Sequence, residues 1–247
     1  MQTCVSLSDL AKTGKRIDLP DAALDRITLP TPEIEVWKAR LDLRAEEVKQ
    51  CASVLSRDEK LRAGRFHFER DRRRFIVARG MLRLLLGSHI HIAPTAIAFA
   101  YSKHGKPLVA GNTAQIHFNV SHSEECALYA ISRSCRLGVD IECLNRDADW
   151  HGLAKRFFTD NEYIALQNLN ASSRKRAFLA CWTRKEAIIK ATGDGLTLAL
   201  DQFEVTVEPD VEPQILSAAY LTIADWKLYA ADVGNGYVAT VAAYRGR

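Results

Sequence analysis

Glu186 and Lys190 are the side chains whose type and spacing most clearly suggest chemistry in this chain. An acid and a base four residues apart share one face of a helix, and Gly193 and Gly195 mark the end of that helix. A pair with this spacing is also a common surface ion pair that stabilises a helix by only a few tenths of a kcal/mol. Taken alone, the two residues leave a reactive site and a surface salt bridge equally open.

Asp140 and Glu142 form a second acidic pattern, in a Gly-Val-Asp-Ile-Glu pentapeptide that is typical of a short strand. Alternate side chains of a strand face opposite ways, so the two carboxylates share one face and the valine and isoleucine share the other. Neighbouring carboxylates repel each other unless a cation lies between them. Oxygen ligands of this kind suit Mg²⁺, and Glu186 is the obvious third carboxylate. The alternative is a solvent-facing edge strand whose acids only keep the protein soluble.

These residues belong to four ordered blocks, namely FNVSHS at 118–123, GVDIE at 138–142, RFFTDNE at 156–162 and WTRKEAIIK at 182–190. A weaker block, GKPL at 105–108, precedes them. In this order the blocks resemble the 4'-phosphopantetheinyl transferases, specifically the larger, surfactin-synthetase-activating (Sfp) type. The matches run from about residue 57 to residue 196, and residues before about 31 lie outside the resemblance.

The resemblance implies an α/β (α+β) fold in which two similar halves form an intramolecular pseudo-dimer, with the active site in the cleft between them. We therefore expect an N-terminal extension at 1–30, a first half at 31–134 and a second half at 135–247 that carries the metal site. Hydrophobic periodicity agrees with two similar series of elements. It predicts strands at 36–43, 97–101, 115–120, 127–132, 137–142, 203–207, 226–233 and 237–244, and helices at 45–66, 70–86, 160–169 and 174–191.

The resemblance also implies a reaction. The 4'-phosphopantetheine arm of coenzyme A moves to a serine hydroxyl of an acyl or peptidyl carrier protein, and 3',5'-ADP is released. Asp140, Glu142 and Glu186 would hold Mg²⁺ against the pyrophosphate, and Lys190 would face the same phosphates. Glu186 is also the candidate base for the carrier serine, either directly or through a metal-bound water. Fatty-acid, polyketide and nonribosomal peptide carriers are all compatible with the sequence.

Further residues are expected to contact coenzyme A. Lys106 and Pro107 form a turn that can approach the nucleotide, and Ser121 and His122 follow a predicted strand, so they would lie at the edge of the cleft. In the family that the chain resembles, basic residues on the helices of the first half reach the 3'-phosphate. Arg62 is the most plausible match here.

Two residues of the RFFTDNE block have a plainer interpretation. Asp160 is a good N-cap, and Glu162 is an acid in the first helical turn, where the helix dipole favours it. The preceding stretch, 144–158, holds Arg146, Lys155 and Arg156, and it is a plausible docking surface for an acidic carrier protein. Trp182 is expected to pack its helix into the core.

The run Arg-Asp-Arg-Arg-Arg at 70–74, continued by Arg79 and Arg83, is the strongest competing signal. Arginines on one helix face can hold the phosphates of a nucleic acid, or they can be a solvated helix face. No interleaved aromatic residues and no nucleic-acid-binding motif accompany the run, so we expect no nucleic-acid partner. A different Mg²⁺-dependent enzyme acting on phosphate esters, such as a nuclease, and a non-enzymatic nucleic-acid binder remain the alternatives.

Composition is compatible with such a transferase without identifying it. The 247 residues are 26% charged and 47% hydrophobic, which is ordinary for a soluble globular protein, and the net charge of +4 suits an anionic cofactor or an acidic partner. The six cysteines form no CxxC pair and no metal-ligand spacing, which favours a reduced, cytoplasmic protein. Arginines interrupt the most apolar helical run, at 76–86, so we expect no membrane partner. Two halves in one chain favour a monomer.

Overall fold

The computed structural model describes residues 23–111, 115–193 and 199–246 and shows a mixed α/β fold with several small sheets, as expected. In chain order its elements are β1 (Leu24–Ile27), β2 (Ile34–Arg40), α1 (Ala45–Ser53), α2 (Arg57–Ala63), α3 (Glu69–Ile90), β3 (Phe99–Tyr101), β4 (Pro107–Val109), β5 (His117–Ser123), β6 (Cys126–Ser132), β7 (Arg136–Cys143), α4 (Trp150–Phe157), α5 (Asp160–Asn168), α6 (Ala171–Thr192), β8 (Phe203–Val205), β9 (Ile215–Ala218), β10 (Trp226–Ala230) and β11 (Tyr237–Tyr244).

Two sheets form the centre of the molecule. One has the strand order β1-β2-β6-β5 and the other the order β10-β11-β7, and every pair in both sheets is antiparallel. Apolar side chains of the two sheets share one core, which includes Val36, Leu128, Val139 and Val241, each 0% exposed. Only three residues, 133–135, connect β6 of the first sheet to β7 of the second.

The described elements fall into two series with the same order. Each series has a strand, two short helices, a 22-residue helix, a two-stranded hairpin and two further strands, from β2 to β6 and from β7 to β11. The first strand of each series pairs with the last, giving β2-β6-β5 in one sheet and β7-β11-β10 in the other. Strand β1 is an addition at the edge of the first sheet.

A buried ion pair anchors the long helix of the first series. Arg83 of α3 donates from Nε to Oε2 of Glu59 at 2.6 Å, and the two side chains are 2% and 3% exposed. The same guanidinium donates to the carbonyl oxygens of Pro94 and Ile97, just before β3. Glu59 also closes the capping box of α2 with Ser56. The contact thus fixes α3 against both the preceding helix and the following segment.

The second series has the same arrangement with a different cation. Lys185 of α6 lies 2.8 Å from Glu162, with side chains 0% and 2% exposed, and donates to the carbonyl oxygens of Leu200 and Phe203 at 2.7 and 2.5 Å. Glu162 closes the capping box of α5 with Thr159. The capping geometry corrects the expectation for Asp160, because the Thr159 hydroxyl accepts the Glu162 N–H and Asp160 is the first helical residue.

Most predicted elements are present, with shifted ends. The helix expected at 45–66 is two helices, because Ser56 caps a new one. Strands β1, β4 and β9 and helix α4 were not predicted, and β1 lies inside the expected N-terminal extension, of which residues 1–22 fall outside the described residues. Trp182 packs against Phe157 and Phe178, as expected.

Two general expectations can be compared with the described residues. Cysteines 51, 126, 135, 143 and 181 are buried and free of disulfide bonds. Over the described ranges, every helix is too short or too polar to span a bilayer.

Candidate active site

Strands β5 and β7 are the facing edges of the two sheets, and side chains join them. Asn119 of β5 accepts a hydrogen bond from the backbone N–H of Val139 at 2.9 Å, and Ser123 accepts one from the N–H of Cys143 at 3.0 Å. Two small polar side chains on the same face of β5, four residues apart, therefore satisfy backbone N–H groups of β7. The FNVSHS block at 118–123 was recognised from the sequence, but the roles of Asn119 and Ser123 were not predicted. The alternation of polar residues was the available signal.

Ser121 and His122 were expected to follow a strand, and the structure corrects this: both lie within β5. The strand continues because Ser121 is buried at the junction, where its hydroxyl donates to Oδ1 of Asp140 at 2.8 Å. The ammonium of Lys190 donates to the same Oδ1 at 2.6 Å and to the Ser121 hydroxyl at 3.0 Å. Strand β5, strand β7 and helix α6 thus meet in one polar cluster.

The Asp140 carboxylate is only 4% exposed, which excludes a solvent-facing edge strand. Its second oxygen, Oδ2, is buried and has no hydrogen-bond partner among the described residues. A buried, unsatisfied carboxylate oxygen is costly, and such an atom calls for a ligand that it can bind. The valine and isoleucine on either side of Asp140 lie in the apolar core, so the predicted alternation is confirmed.

The Glu186 side chain is half-buried and makes no hydrogen bond or ion pair in the part of the chain that the structure describes. Lys190, its partner in the alternative interpretation as a surface salt bridge, binds Asp140 instead. Burial, together with the negative charge of Asp140, raises the pKa of Glu186 above its usual value.

Glu142 lies at the outer end of the cluster. Its Oε2 accepts a hydrogen bond from the Ser123 hydroxyl at 3.0 Å and lies 3.3 Å from the Arg146 guanidinium. Burial and the neighbouring Asp140 raise the pKa of Glu142 as well. In the described ranges, no three His, Cys, Asp or Glu side chains are grouped closely enough to hold a metal ion, so the three-carboxylate set stays a prediction.

Gly138 explains how α6 comes so close to β7. A Cβ atom at this position would clash with the carbonyl oxygen of Ala187 and would lie 2.5 Å from the backbone nitrogen of Ala191. Only glycine allows this approach. Glu186 and Lys190 lie within one helical turn of Ala187 on α6, so this contact brings both residues to the strand that carries Asp140. The structural need for this glycine was also missed from the sequence.

Lys106 and Pro107 lie in the first half, and Pro107 begins β4, where it pairs with Tyr101. The Lys106 ammonium donates to the backbone carbonyl oxygens of Leu137 and Lys190 at 3.1 and 2.5 Å. The predicted contact with a nucleotide stays a prediction for both residues.

Arg62 and His122 border the same cleft, which has a volume of about 530 Å³. Residues on both sides of residue 134 line it: Arg62, Phe66, Arg70, Asp71, Arg74, Phe75, Ala78, His122, Ser123, Glu124 and Arg146. Four arginines and two acids give it a basic character. The Arg62 guanidinium lies 5.3 Å from the centre of the Phe75 ring and also borders a second cleft, of about 640 Å³. Position alone is therefore compatible with the predicted phosphate contact of Arg62.

The arginine-rich helix does not present a continuous phosphate-binding face. Arg79 and Arg83 are turned inward to the buried carboxylate of Glu59. Arg74 forms ion pairs with Asp42 at 2.8 Å and with Glu124 at 3.2 Å. These contacts neutralise much of the charge that made a nucleic-acid binder a strong alternative.

The site combines the Glu186 side chain, which has no partner in the described ranges, with the unsatisfied Oδ2 of Asp140, the Lys190 ammonium and a cleft lined by arginines. Such groups are suited to neutralising and transferring an anionic phosphate group. On a mixed α/β fold they are compatible with a phosphate-group transferase. Comparison with known proteins gives the family. Residues 136–242 match the model of the 4'-phosphopantetheinyl transferase superfamily, and residues 40–134 match that of the 4'-phosphopantetheinyl transferase N-terminal region.

Curated relatives agree along most of the chain. The 4'-phosphopantetheinyl transferase HetI of Nostoc sp. is 37% identical over 87% of this chain and 90% of its own. The transferase ffp of Bacillus subtilis is 30% identical over 82% and 88%, and Sfp of Bacillus subtilis strain 168 is 30% identical over 70% and 75%. The chain belongs to the 4'-phosphopantetheinyl transferase superfamily and is of the Sfp type.

Proposed function

We propose that this protein transfers the 4'-phosphopantetheine group from coenzyme A to a serine of an acyl or peptidyl carrier protein and releases 3',5'-ADP. The observation that carries the proposal is the cluster in which Asp140, Ser121 and Lys190 meet beside Glu186. It joins an acid with an unsatisfied buried oxygen to a lysine that can face phosphate. Family membership over most of the chain supports the same reaction.

Mg²⁺ fits the donor atoms of this site. Asp140, Glu142 and Glu186 would hold the ion, since hard carboxylate oxygens are its preferred protein ligands, and the buried Oδ2 of Asp140 is ready to bind one. When bound, the ion would neutralise the pyrophosphate of coenzyme A.

The residues of the chain then have separate tasks. Glu186, which is half-buried and whose side chain has no hydrogen-bond partner in the described ranges, accepts the proton of the carrier serine. The serine oxygen forms a bond to the phosphorus of the pantetheine arm, and the bond from that phosphorus to 3',5'-ADP breaks. Lys190, held beside Asp140 at 2.6 Å, stabilises the negative charge on the departing phosphate.

Coenzyme A would lie along the basic cleft. Arg62, which borders this cleft, would bind the 3'-phosphate, and Ser121 and His122 connect the cleft to the carboxylate cluster. Pro107 and the backbone of Lys106 would approach the nucleotide from the turn before β4.

The carrier protein would dock on α4 and the loop before it. Lys155 and Arg156 are exposed in the last turn of α4, and Arg146 is 59% exposed next to Glu142. This positive surface suits an acidic partner.

The two series of elements support an internal pseudo-dimer divided near residue 134, with the site at the junction of the halves. Such a chain already contains both halves of the site and is expected to act as a monomer. Buried free cysteines support a reduced, cytoplasmic setting.

One incubation tests the function. Purified protein, coenzyme A, Mg²⁺ and an apo carrier protein are combined, and intact mass spectrometry measures the carrier. We expect the mass gain of one phosphopantetheine and none when a chelator removes Mg²⁺. No gain with acyl, polyketide or peptidyl carriers would refute the proposal. In the same assay, changing Lys155 and Arg156 to Glu should raise KM for the carrier and leave KM for coenzyme A unchanged; equal effects on both would remove the docking surface.

A further inference from the structure

Lys106 reaches from the first half of the chain to two elements of the second half. Its ammonium lies 3.1 Å from the carbonyl oxygen of Leu137 on β7 and 2.5 Å from that of Lys190 on α6. These carbonyls flank the close approach of α6 to Gly138. One cation therefore bridges the strand that carries Asp140 and the helix that carries Lys190 itself.

The carbonyl oxygen of Lys190 is one of the four that the end of an α-helix leaves without an internal partner. Helix α6 ends at Thr192, and Gly193 follows with φ of 75°, in the left-handed conformation that commonly ends helices. The Thr192 hydroxyl donates to the carbonyl oxygen of Ile189, and the Lys106 ammonium donates to that of Lys190. A positive charge at this end of a helix also interacts favourably with its dipole.

The surroundings of Lys106 disfavour an ammonium group whose only role is to bind a phosphate. Burial, together with the positive charge of Arg136, lowers the pKa of Lys106 to about 8. His117 also faces this ammonium, since the charge of Lys106 contributes to lowering the pKa of His117. No carboxylate in the described ranges forms an ion pair with Lys106. The two carbonyl oxygens are what holds the ammonium in place.

We propose that Lys106 is a positioning residue that fastens the last turn of α6 to β7 and so keeps Lys190 beside Asp140. The inference rests on the proposed function. In this positioning role the N–H groups of Lys106 donate to two carbonyl oxygens of the protein. In a phosphate contact, by contrast, the charge of Lys106 would act on coenzyme A. The two roles lead to different kinetics.

Kinetics of three variants separate these roles. Lys106→Met removes donors and charge, Lys106→Gln keeps N–H donors without the charge, and Lys103→Met is the matched control on an exposed lysine of the same turn. Positioning predicts that kcat falls about 10- to 100-fold in Lys106→Met, because small displacements of a catalytic group are costly. It also predicts a smaller fall in Lys106→Gln and an unchanged KM for coenzyme A. A raised KM in both variants with kcat unchanged would overturn the proposal in favour of a phosphate contact.

A second measurement needs no substrate. Hydrogen exchange should accelerate about tenfold in Lys106→Met over the last two turns of α6, at 186–192, and not over the last two turns of α3, at 84–90. Unchanged exchange at 186–192 would overturn the inference even if the kinetics changed. If the wild-type protein transfers no phosphopantetheine, the proposed function fails, and the exchange result still decides whether Lys106 holds α6.

Discussion

The long helices α3 and α6 are held in the same way, yet only α6 carries residues that we propose to be reactive. Each has 22 residues, and each places a buried cation against a capping-box glutamate and two carbonyl oxygens, through Arg83 in α3 and Lys185 in α6. The two cations are 102 residues apart, and the same offset separates the first residues of β2 and β7. The scaffold is therefore repeated.

The chemistry is not repeated. At the offset of 102 residues, Asp140 and Glu142 correspond to Lys38 and Arg40 on β2. On the helices, Glu186 and Lys190 correspond to Leu84 and Ser88 of α3. Lys38 donates to the carbonyl oxygen of Val233 and binds no carboxylate cluster. The corresponding positions thus carry the proposed reactive groups in the second series and other residue types in the first, whereas the buried anchors are shared.

The largest effect should come from the reactive positions of the second series. Glu186→Gln is expected to lower kcat by about 10³-fold, because the proton acceptor is lost. Lys190→Ala should lower kcat by about 10²-fold, because the charge on the leaving phosphate is no longer stabilised. Initial rates of carrier modification measure both, and circular dichroism checks that the fold survives.

Ser88→Ala is the matched control for Lys190→Ala, since it alters the corresponding position of α3. It should keep wild-type rates. Full activity in a Glu186→Gln, Lys190→Ala double variant, or a loss in Ser88→Ala equal to that in Lys190→Ala, would contradict the asymmetry between the two helices.

An intermediate effect is expected from breaking the shared anchors. Lys185→Met leaves the buried Glu162 without its cation and should lower the free energy of unfolding by about 3–5 kcal/mol, whereas Arg83→Met leaves Glu59 paired with Arg79 and should lower it by less. Urea denaturation measures this change. Only Lys185→Met should also lower kcat of the folded protein, because Lys185 precedes Glu186. A Lys185→Met, Glu162→Gln double variant should regain part of the lost stability, and equal kcat losses in Arg83→Met and Lys185→Met would argue against the distinction.

The smallest effect is expected at Lys38, the counterpart of Asp140. Lys38→Met removes one hydrogen bond, at 2.8 Å, to the carbonyl oxygen of Val233. It should cost about 1 kcal/mol of stability and leave transfer rates unchanged. Denaturation and the carrier assay test both expectations. A tenfold loss of activity would mean that the first series contributes more to the site than its contacts indicate.

Sequence patterns predicted the elements that bury a regular apolar face and the residues that form motifs. The strand of Asp140 and the helix of Glu186 were found because their periodicity is strong over several residues. Strands β4 and β9 were missed because they have only three and four residues. Short strands of that kind depend on their partners rather than on an internal pattern.

The contacts within the site were harder to predict, because they depend on distance along the chain. The spacing left a surface pair of Lys190 with Glu186, four residues away, as one of two interpretations, whereas the structure pairs Lys190 with Asp140, 50 residues away. The ammonium of Lys106 binds a carbonyl oxygen 84 residues away. Local spacing cannot report such pairs. The burial of Glu162 was not predicted either, since Lys185, the cation that pairs with it, lies on another helix.

The three-residue connection between β6 and β7 gives the molecule a further property. Joining two series of elements so tightly turns their association into an intramolecular step with a high effective concentration. Dilution therefore does not separate Ser121 from Asp140. It would do so if β5 and β7 belonged to two subunits that dissociate. In a dimer of identical subunits every mutation appears in both copies, whereas in this chain one series can change while the other does not. The covalent link thus allows one series to carry Lys38 where the other carries the buried Asp140.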